Sequence, residues 1–590
     1  MDAKRQDVED QVISKFTKQP AGKKKRDGKA DGTDDKDGRT STAKALVELA
    51  MKSCTLFHDE RKDGYAVTTI GDVRRTLKLR GKDFRRWLSG SYYASTKKAA
   101  NSEAISSALS VIEAQATFDG RELELSNRFA MRDGCIYIDL GDPDWRVIEV
   151  TPDGWEIMNK PPVLFRRYSH QKALPVPVRG GKLSDLHEFL AIKSEDDKRL
   201  MEAWLVAAFF PNVPRPASTF HGPQGASKTT SARILKAVTD PSLIVSVDFG
   251  KSPADLAQVL DHHGVPCFDN LTSIPAWAAD TLCRAVTGGA FSKREHYSDD
   301  SDILMVFQRP IIITGINIPT HAPDLLDRLL LIELDRIRPE KRMDEVTFWR
   351  NFNAARPKLF GAVLDAVSGA LKRLPDIKLD RMPRMADFAR VACAYAEFAG
   401  MGANTMLDII MAHTFRQTQE VLDADPVATA VVEFVRKSGK WTGTASELLS
   451  LLNEAHPQQR PDGWPKQGNT LSRRLTVLHS TLSEVGINIR RHKEGNRLLT
   501  LESSADSSSA SSLSSRSTIH ADLRADGVPI ASSEGSSRQD GKVAVGKISS
   551  AVSSPIKGSN DSRLDDLDDQ DDISRLFSGE SKSEQIEVEI

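Results

Sequence analysis

The chain has 590 residues, too long for one hydrophobic core, and this length predicts about two to four domains. Its 81 lysines and arginines balance 82 aspartates and glutamates, which excludes binding to nucleic acid or a membrane through overall charge, so any basic surface must be local. The five cysteines are dispersed, and no apolar stretch approaches the roughly 20 residues of a spanning helix. These features predict a soluble, cytoplasmic protein with reduced thiols and no membrane partner.

Both ends of the chain have compositions that cannot form a core. Residues 1–42 are rich in Lys, Asp and Gly, and residues 504–590 are rich in Ser, Asp and Gly, with few aromatic residues in either segment. Segments of this kind bury too little apolar surface to offset the entropy of ordering. We therefore predict a disordered tail at each end.

The first folded part spans residues 43–190. Apolar spacing predicts helices around Ala45–Met51 and Ala104–Ala114, whereas Gly134–Leu140 and Trp145–Thr151 are β-rich and are separated by turn residues. This mixture predicts an N-terminal α/β domain. No spaced pair of acidic residues suggests a polymerase metal site, so the role of this domain stays open.

The motif with the clearest chemistry is a loop of small residues. It reads Gly222, Pro223, Gln224, Gly225, Ala226, Ser227, Lys228, Thr229 and Thr230. The spacing is that of a phosphate-binding P-loop, G-x-x-x-x-G-K-[ST], except that Ser227 stands where glycine is usual. Backbone N–H groups of such a loop surround phosphates at a helix N-terminus, Lys228 neutralises their charge, and the Thr229 hydroxyl ligates Mg²⁺. We predict ATP and Mg²⁺ as ligands; the alternative is an ordinary turn.

The elements around the loop support a nucleotide-binding core. A short strand at Ala217–His221 precedes the loop, a helix at Thr230–Val238 follows it, and Leu243–Asp248 is predicted as a second strand. An apolar strand at Val265–Asn270 then places Asp269 where it can hold the Mg²⁺ shell. The alternative for Asp269 is a capping residue at a strand end.

Two further residues complete the predicted site. Asn317 ends a buried strand that begins at Pro310, and an amide there can hold the attacking water against the γ-phosphate. Arg328 precedes the apolar run Leu329–Leu334 and can project into a neighbouring subunit as an arginine finger. Sheet core for the strand, and an ordinary surface arginine, are the alternatives.

In this order, the parts resemble the superfamily 3 helicases, in particular the D5-like primase-helicase ATPases of phages, plasmids and integrated elements. The most specific link is Val286–Tyr297, in which a Thr-Gly-Gly turn leads into a basic and aromatic stretch. The resemblance implies a hairpin that lines a central channel, with Lys293 and Arg294 contacting the DNA backbone. Asn270 departs from the family pattern, where glutamate often serves as the base.

The resemblance also implies an architecture. Residues 191–341 would form an ATPase core of the AAA+ type and residues 342–424 its helical lid, and the arginine finger would require a homo-oligomeric ring. The motifs cover about residues 195–340 and the likeness is looser over 341–500.

Residues 425–503 read as a separate small domain. Val427–Lys437 is helical, Thr444 and Glu447 form a capping box, and a third helix begins at Asn469 or Thr470 and ends at Val485. A hairpin of Ile487–Arg491 and Arg497–Leu501 follows. Three helices and a hairpin predict a winged helix.

This predicted winged helix is basic on its third helix and its hairpin. That pattern predicts DNA binding through Arg473, Arg474, Arg490, Arg491, Lys493 and Arg497. A protein-interaction module is the alternative.

The sequence thus predicts an α/β protein with an AAA+ P-loop core, a lid and a winged helix. Its predicted function is an ATP-dependent DNA helicase or translocase that acts on single-stranded or forked DNA, replicates a mobile genetic element and works with a primase or other replication partner. A DNA-binding nucleotide switch with a degenerate, non-hydrolysing P-loop is the second hypothesis, which Ser227 and Asn270 favour.

Overall fold

A computed structural model describes five stretches of the chain, namely residues 41–294, 302–316, 322–455, 464–494 and 496–503. The C-terminal tail predicted at 504–590 lies outside them, as does the N-terminal tail apart from its last two residues. Helices and strands alternate through the described part, which includes one sheet of parallel strands. None of the described helices combines the length and apolarity needed to cross a membrane.

The first folded unit packs three helices against a small sheet. Its elements are α1 (Thr42–Ser53), β1 (Cys54–His58), β2 (Gly64–Ile70), β3 (Val73–Lys78), α2 (Lys82–Thr96), α3 (Ser102–Phe118) and β4 (Arg121–Glu122). The sheet order is β3-β2-β1-β4, with β1 antiparallel to β2 and parallel to β4. Ser41 and Asn101 cap α1 and α3 by accepting backbone N–H groups. Two of these helices contain the helical segments predicted at 45–51 and 104–114.

A second sheet is an antiparallel meander of β5 (Phe129–Arg132), β6 (Cys135–Asp139), β7 (Val147–Thr151) and β8 (Gly154–Met158). It packs against a helix more than 200 residues later in the chain. The Ser368 hydroxyl donates to the carbonyl of Thr151 at 2.6 Å, and Trp155 Nε1 donates to Asp365 at 2.8 Å. The meander therefore shares a core with later elements.

The central sheet consists of four parallel strands in the order β10-β13-β9-β14. The strands are β9 (Ala217–His221), β10 (Cys267–Leu271), β13 (Ile312–Gly315) and β14 (Leu329–Glu333). Helices α4 (Glu195–Ala207), α5 (Lys228–Thr239), α6 (Pro253–His262) and α7 (Ala276–Thr287) accompany it. Between α7 and β13, β11 (Gly289–Arg294) pairs with β12 (Asp302–Phe307) as an antiparallel hairpin.

The strand predicted at Leu243–Asp248 is wrong. That segment has no strand pairing, and its contact with β10 is a single backbone hydrogen bond, from Val247 N–H to the Cys267 carbonyl at 2.9 Å. Leu243 and Ile244 are 64% and 50% exposed, so the start of the apolar run lies outside the core, whereas Val247 packs against it. The Leu243 N–H instead donates to His170, which draws the start of the segment away from the sheet.

Three long helices follow the central sheet after the short helix α8 (Pro323–Leu326). They are α9 (Glu345–Arg373), α10 (Ala386–Phe398) and α11 (Ala403–Ala424). The start of α9 rests on α5, because Arg233 pairs with Glu345 at 2.9 Å and stacks over Trp349 at 4.5 Å. The helix that carries the P-loop residues is thus in direct contact with the helical region beyond the sheet.

The last described unit contains α12 (Pro426–Ser438), β15 (Lys440–Thr444), α13 (Ala445–Ala455), α14 (Gly468–Val477), α15 (His479–Glu484), β16 (Ile487–Glu494) and β17 (Asn496–Ser503). The capping box predicted at Thr444 and Glu447 is confirmed by reciprocal bonds of 2.8 and 3.2 Å. The third helix predicted to end at Val485 is divided into two, because a turn at Leu478 (φ −82°, ψ −2°, still in the right-handed helical region) separates α14 from α15.

A buried charge cluster joins α5 to the meander. Asp240, immediately after α5, accepts from Arg128 Nε at 2.9 Å and from Lys236 Nζ at 2.7 Å, and all three side chains are at most 2% exposed. Burial opposes ionisation of Asp240, but Lys236 and Arg128 hold the pKa of its carboxyl well below its usual range. The cluster links α5 to the meander through three buried charges, and burial of any one of them would be unfavourable without the others.

Three histidines pack in a stack beside this cluster. His170 and His263 lie 4.1 Å apart between ring centroids, and His262 lies 4.3 Å from Tyr168. Burial lowers the pKa of all three, and that of His263 falls from 6.5 to about 3. Each imidazole is therefore neutral in the folded protein at a pH where it is protonated in the unfolded chain.

This difference predicts acid sensitivity. Between about pH 6.5 and pH 3 the unfolded chain binds more protons than the folded protein, so stability falls as the pH falls through this window. Melting temperatures measured from pH 7.5 to 5 should decline, and His263→Gln should flatten the decline because it removes one of the groups. The exposed His492→Gln is the control, and a flattening as large as that of His263→Gln would contradict the assignment.

Candidate nucleotide site and nucleic-acid interface

The P-loop residues and Asp269 meet at one edge of the central sheet. Gly222 directly follows β9, and Asp269 lies in β10, two strands away, with β13 between them. Because all four strands are parallel, their carboxyl ends point to the same edge, which is where open α/β sheets bind ligands.

Backbone conformation shapes the loop. Gly222 has a φ of +139°, and a side chain there would meet the Leu334 carbonyl at 2.6 Å, so only glycine fits. Gly225 has a φ of +80°. Ser227 also has a positive φ, +57°, and caps α5 without a side-chain hydrogen bond. The left-handed conformation costs a non-glycine residue about 1 kcal/mol, so Ser227 adds strain where glycine would relax it.

Lys228 spans the loop from the first turn of α5. Its ammonium donates to the Gly222 carbonyl at 2.8 Å and to the Pro223 carbonyl at 2.9 Å. The first N–H groups of α5 have no acceptor within the helix, and they open onto the same loop. An ammonium and helix-terminal N–H groups at one place make the electrostatic environment that phosphate requires.

Thr229 and Asp269 meet across the sheet edge. The Thr229 hydroxyl donates to Asp269 Oδ1 at 3.0 Å, although 40 residues separate them. A hydroxyl and a carboxylate oxygen are ligands that Mg²⁺ accepts, and Mg²⁺ takes only one or two carboxylates beside phosphate and water. The two residues therefore fit a magnesium site.

Sequence reasoning missed Thr314 in β13. Its hydroxyl donates to Asp269 Oδ1 at 2.5 Å and accepts from the Asn270 N–H at 2.8 Å. Asn270 sits at an irregularity in the β10–β13 pairing with a φ of +57°, a conformation that asparagine tolerates better than glutamate. Thr314 thus orients Asp269, and strand geometry gives a reason for an amide at 270. No local pattern marks Thr314, which looks like any residue of a buried strand.

Arg336 was missed as well. The segment after β14 runs along the loop: the Leu334 N–H donates to His221, and the Ile337 N–H donates to Gly225 at 3.3 Å. This places the exposed Arg336 beside the loop, with its Cγ and Nε 3.9 Å from where a Cβ of Gly225 would stand. In the sequence, the indication of a role for Arg336 was its position just after the last core strand, close to Arg328.

Of the two other predicted site residues, Arg328 and Asn317, the structure describes only Arg328. Arg328 is 20% exposed, donates to the Asp324 carbonyl at 2.5 Å and lies 3.8 Å from the Asp324 carboxylate. Within the single chain its side chain therefore packs against α8, not into the loop. Asn317 lies outside the described residues.

The predicted basic hairpin exists as a backbone structure. Lys293 and Arg294 are the last two residues of β11 and pair with Ile303 and Asp302 of β12. They are the last pairs described before the turn of this two-stranded hairpin, at the end opposite Gly289 and Phe307.

The basic residues of the last unit fall into two groups. Arg474 donates to Asp425 at 2.6 and 3.0 Å, and Asp425 also caps α12 by accepting from Val427 and Ala428. Arg491 donates to the Ser472 carbonyl and to Thr476 of α14. These two arginines are therefore engaged in contacts within the unit, although both side chains are exposed. Arg473, Arg490 and Arg497 are exposed, and Lys493 pairs with Arg497 across the hairpin backbone.

Two family models match the chain. One, described as the actinomycete integrative conjugative element replication protein, matches residues 183–413, and the other, the AICE RepA C-terminal domain, matches residues 427–516. Together they cover more than half of the chain. The search of curated proteins gave no match.

The chain is also similar to solved structures of the NrS-1 C-terminal region. An apo structure in the A form shares 12% identity at a TM-score of 0.37 and covers 78% of this chain and 98% of that chain. Another, of residues 305–718, shares 12% identity at a TM-score of 0.35 and covers 79% of this chain and 100% of that chain.

Proposed function

We propose that this chain is an ATP-driven DNA helicase or translocase that acts in replication of an integrative conjugative element, because family models for replication proteins of such elements match residues 183–413 and 427–516. The observation that carries the proposal is the contact between Thr229 and Asp269 at 3.0 Å. It joins the helix end of a P-loop to a carboxylate two strands away, as nucleotide hydrolysis requires.

Each residue of the proposed site has a separate role in binding ATP and Mg²⁺. Lys228 and the first N–H groups of α5 bind the phosphates, and the ammonium exchanges its two loop carbonyls for phosphate oxygens. Thr229 and Asp269 would hold Mg²⁺, whose positive charge would offset the negative charge of the phosphates. Thr314 fixes the rotamer of Asp269. Arg336 adds positive charge beside Gly225 in the same subunit.

An AAA+ arrangement is supported by the order of the sheet and by the helices beyond it. The P-loop strand β9 is central, and Arg233 links α5 to the first turn of α9 through Glu345 and Trp349. A change at the phosphates can therefore be transmitted to the helical lid. Arg328 in trans and the homo-oligomeric ring belong to the same proposal, because its place at the start of β14 near exposed Asp324 suits a subunit contact.

A nucleotide switch is the second candidate. The strained Ser227 and the amide of Asn270 favour it, because a stiff loop and a missing carboxylate both slow hydrolysis. Phosphate release from the purified full-length protein, with and without single-stranded DNA, separates the two. Release that DNA stimulates supports the helicase or translocase, whereas nucleotide binding with no turnover in either condition contradicts it and supports the switch.

A winged helix is supported by the order of α12, α13 and α14 and by the β15-β17-β16 sheet. We propose that Arg473, Arg490 and Arg497 carry its DNA contacts, since Arg474 and Arg491 are engaged within the fold. Each phosphate contact on duplex DNA adds about 0.9 to the slope of log affinity against log salt.

Replacing these three exposed arginines with glutamine should reduce that slope by about two to three and weaken duplex binding, because the associated counterion release is lost. Titration of a labelled fork at several salt concentrations measures it. The matched control replaces the exposed Arg436, Lys437 and Lys440 with glutamine. The same loss in both variants, or no loss in the first, would contradict the assignment.

A further inference from the structure

The N-terminal unit carries the densest positive charge of its folded surface on β3 and α2. Residues 73–98 contain nine lysines and arginines and a single acidic residue, Asp83, in a chain whose net charge is −1. Most of these basic residues are exposed, including those at both ends of α2. The sequence-based interpretation assigned no role to this unit.

Helix α2 divides this surface sharply. Phe84, Leu88 and Tyr92 are spaced by four residues and are buried against the unit's core. The opposite face presents Lys82, Arg86, Gly90 and Tyr93, whose spacings keep them within about 80° of one another around the helix, and the exposed Lys97 is the left-handed residue that ends α2. We call these five residues the α2 stripe. It extends over roughly 22 Å of helix, enough for several nucleotides of an extended strand.

The charges of the stripe do little for the fold. Within the described residues, Lys82 and Lys97 have no ion pair, and Arg86 meets Asp83 at 3.4 Å with both side chains more than three-quarters exposed. Such a surface pair contributes about 0 to 1 kcal/mol at most. Like charges spaced four residues apart on a helix repel one another. Helix stability therefore does not explain why the residues of the stripe are basic.

The aromatic residue of the stripe is exposed too. Tyr93 is 57% exposed, although Tyr92 beside it is 7% exposed in the core. Aromatic rings on a basic surface stack with unpaired bases, whose faces are accessible only in a single strand. The ring therefore favours single-stranded over duplex nucleic acid.

Gly90 lies between Arg86 and Tyr93. A Cβ at this position would meet nothing within 4 Å, and its backbone is not left-handed, so neither packing nor conformation requires glycine. Glycine inside a helix is unfavourable relative to alanine. A bare backbone in the middle of the stripe does, however, let a phosphate or sugar lie close to the helix.

We propose that the α2 stripe is a second DNA-binding surface, which holds single-stranded DNA by phosphate contacts from Lys82, Arg86 and Lys97 and by base stacking on Tyr93. It reads no sequence, because it offers charge and a ring but no arrangement of groups that distinguishes base edges. The surface extends the proposed function to the N-terminal unit and does not depend on ATP hydrolysis.

The first experiment tests whether the three positive charges of the stripe contribute to DNA binding. Full-length protein with Lys82, Arg86 and Lys97 replaced by glutamine is titrated with labelled oligothymidine at several salt concentrations, without nucleotide. Three single-strand phosphate contacts account for a slope of about two, so the variant should bind about 100-fold more weakly at 0.1 M salt. A control replaces the exposed Lys44, Lys52 and Lys378 with glutamine and removes the same charge. Equal slopes for the two variants would overturn the proposal.

The second test keeps the charge constant. Tyr93→Ser should weaken oligothymidine binding several-fold and Tyr93→Phe should restore it, because stacking needs the ring and not the hydroxyl. Gly90→Leu should also weaken binding while improving the helix, which a purely structural role for Gly90 would not produce. Binding of both Tyr93 variants at the parental level, or a loss for duplex DNA alone, would overturn single-strand binding. Failure of the ATPase proposal would show separately, as absent phosphate release with this binding intact.

Discussion

Replacing Lys228 with alanine is expected to lower DNA-stimulated ATP hydrolysis by about 100-fold or more while leaving the fold intact. The ammonium reaches across the P-loop to two of its carbonyls, and preorganised charge at a reacting phosphoryl group is typically worth a factor of this size. Its own contacts are two loop carbonyls on a partly exposed surface, so stability should change by less than about 0.5 kcal/mol.

Phosphate release and thermal melting measure these two effects side by side. Lys251→Ala, which removes an exposed lysine from the loop before α6, is the matched control and should behave as the parent protein. Turnover at the parental rate in the Lys228 variant would remove the site assignment. An equal loss in both variants would point to a general effect of charge.

Asp240→Asn is expected to be strongly destabilising. It leaves Arg128 and Lys236 as two buried cations without their shared carboxylate, and breaking a buried ion pair in this way costs about 3–5 kcal/mol. The melting temperature should fall by roughly 10 °C in a domain of this size. Asp153→Asn, which breaks the exposed pair with Lys372, should shift it by only a degree or two.

A second substitution distinguishes lost charge balance from general damage. Asp240→Asn combined with Lys236→Met removes one of the two unpaired cations and should recover part of the lost melting temperature, since the two residues are in direct contact and their effects are not additive. If the double variant is as unstable as the sum of the two single variants, the charge cluster does not explain the effect of Asp240.

The sequence by itself determined the parts of the site that depend on neighbouring residues. The loop from Gly222 to Thr229, the helix after it and the strand that carries Asp269 follow from short-range spacing, because backbone preferences and apolar periodicity act over a few residues. The capping box at Thr444 and the basic hairpin near the C-terminus were predicted for the same reason.

The tertiary structure decided which of these parts meet. Thr314 reaches Asp269 across 45 residues, and Arg336 comes beside Gly225 because β14 pairs with β9. Arg474 is 43% exposed but pairs with Asp425 at 2.6 Å. The apolar run at 243–248 forms no strand, and its first residue donates to the His170 carbonyl. Contacts of this kind depend on strand order and on the packing of distant elements. The spacing of residues along a single sequence does not predict either of them.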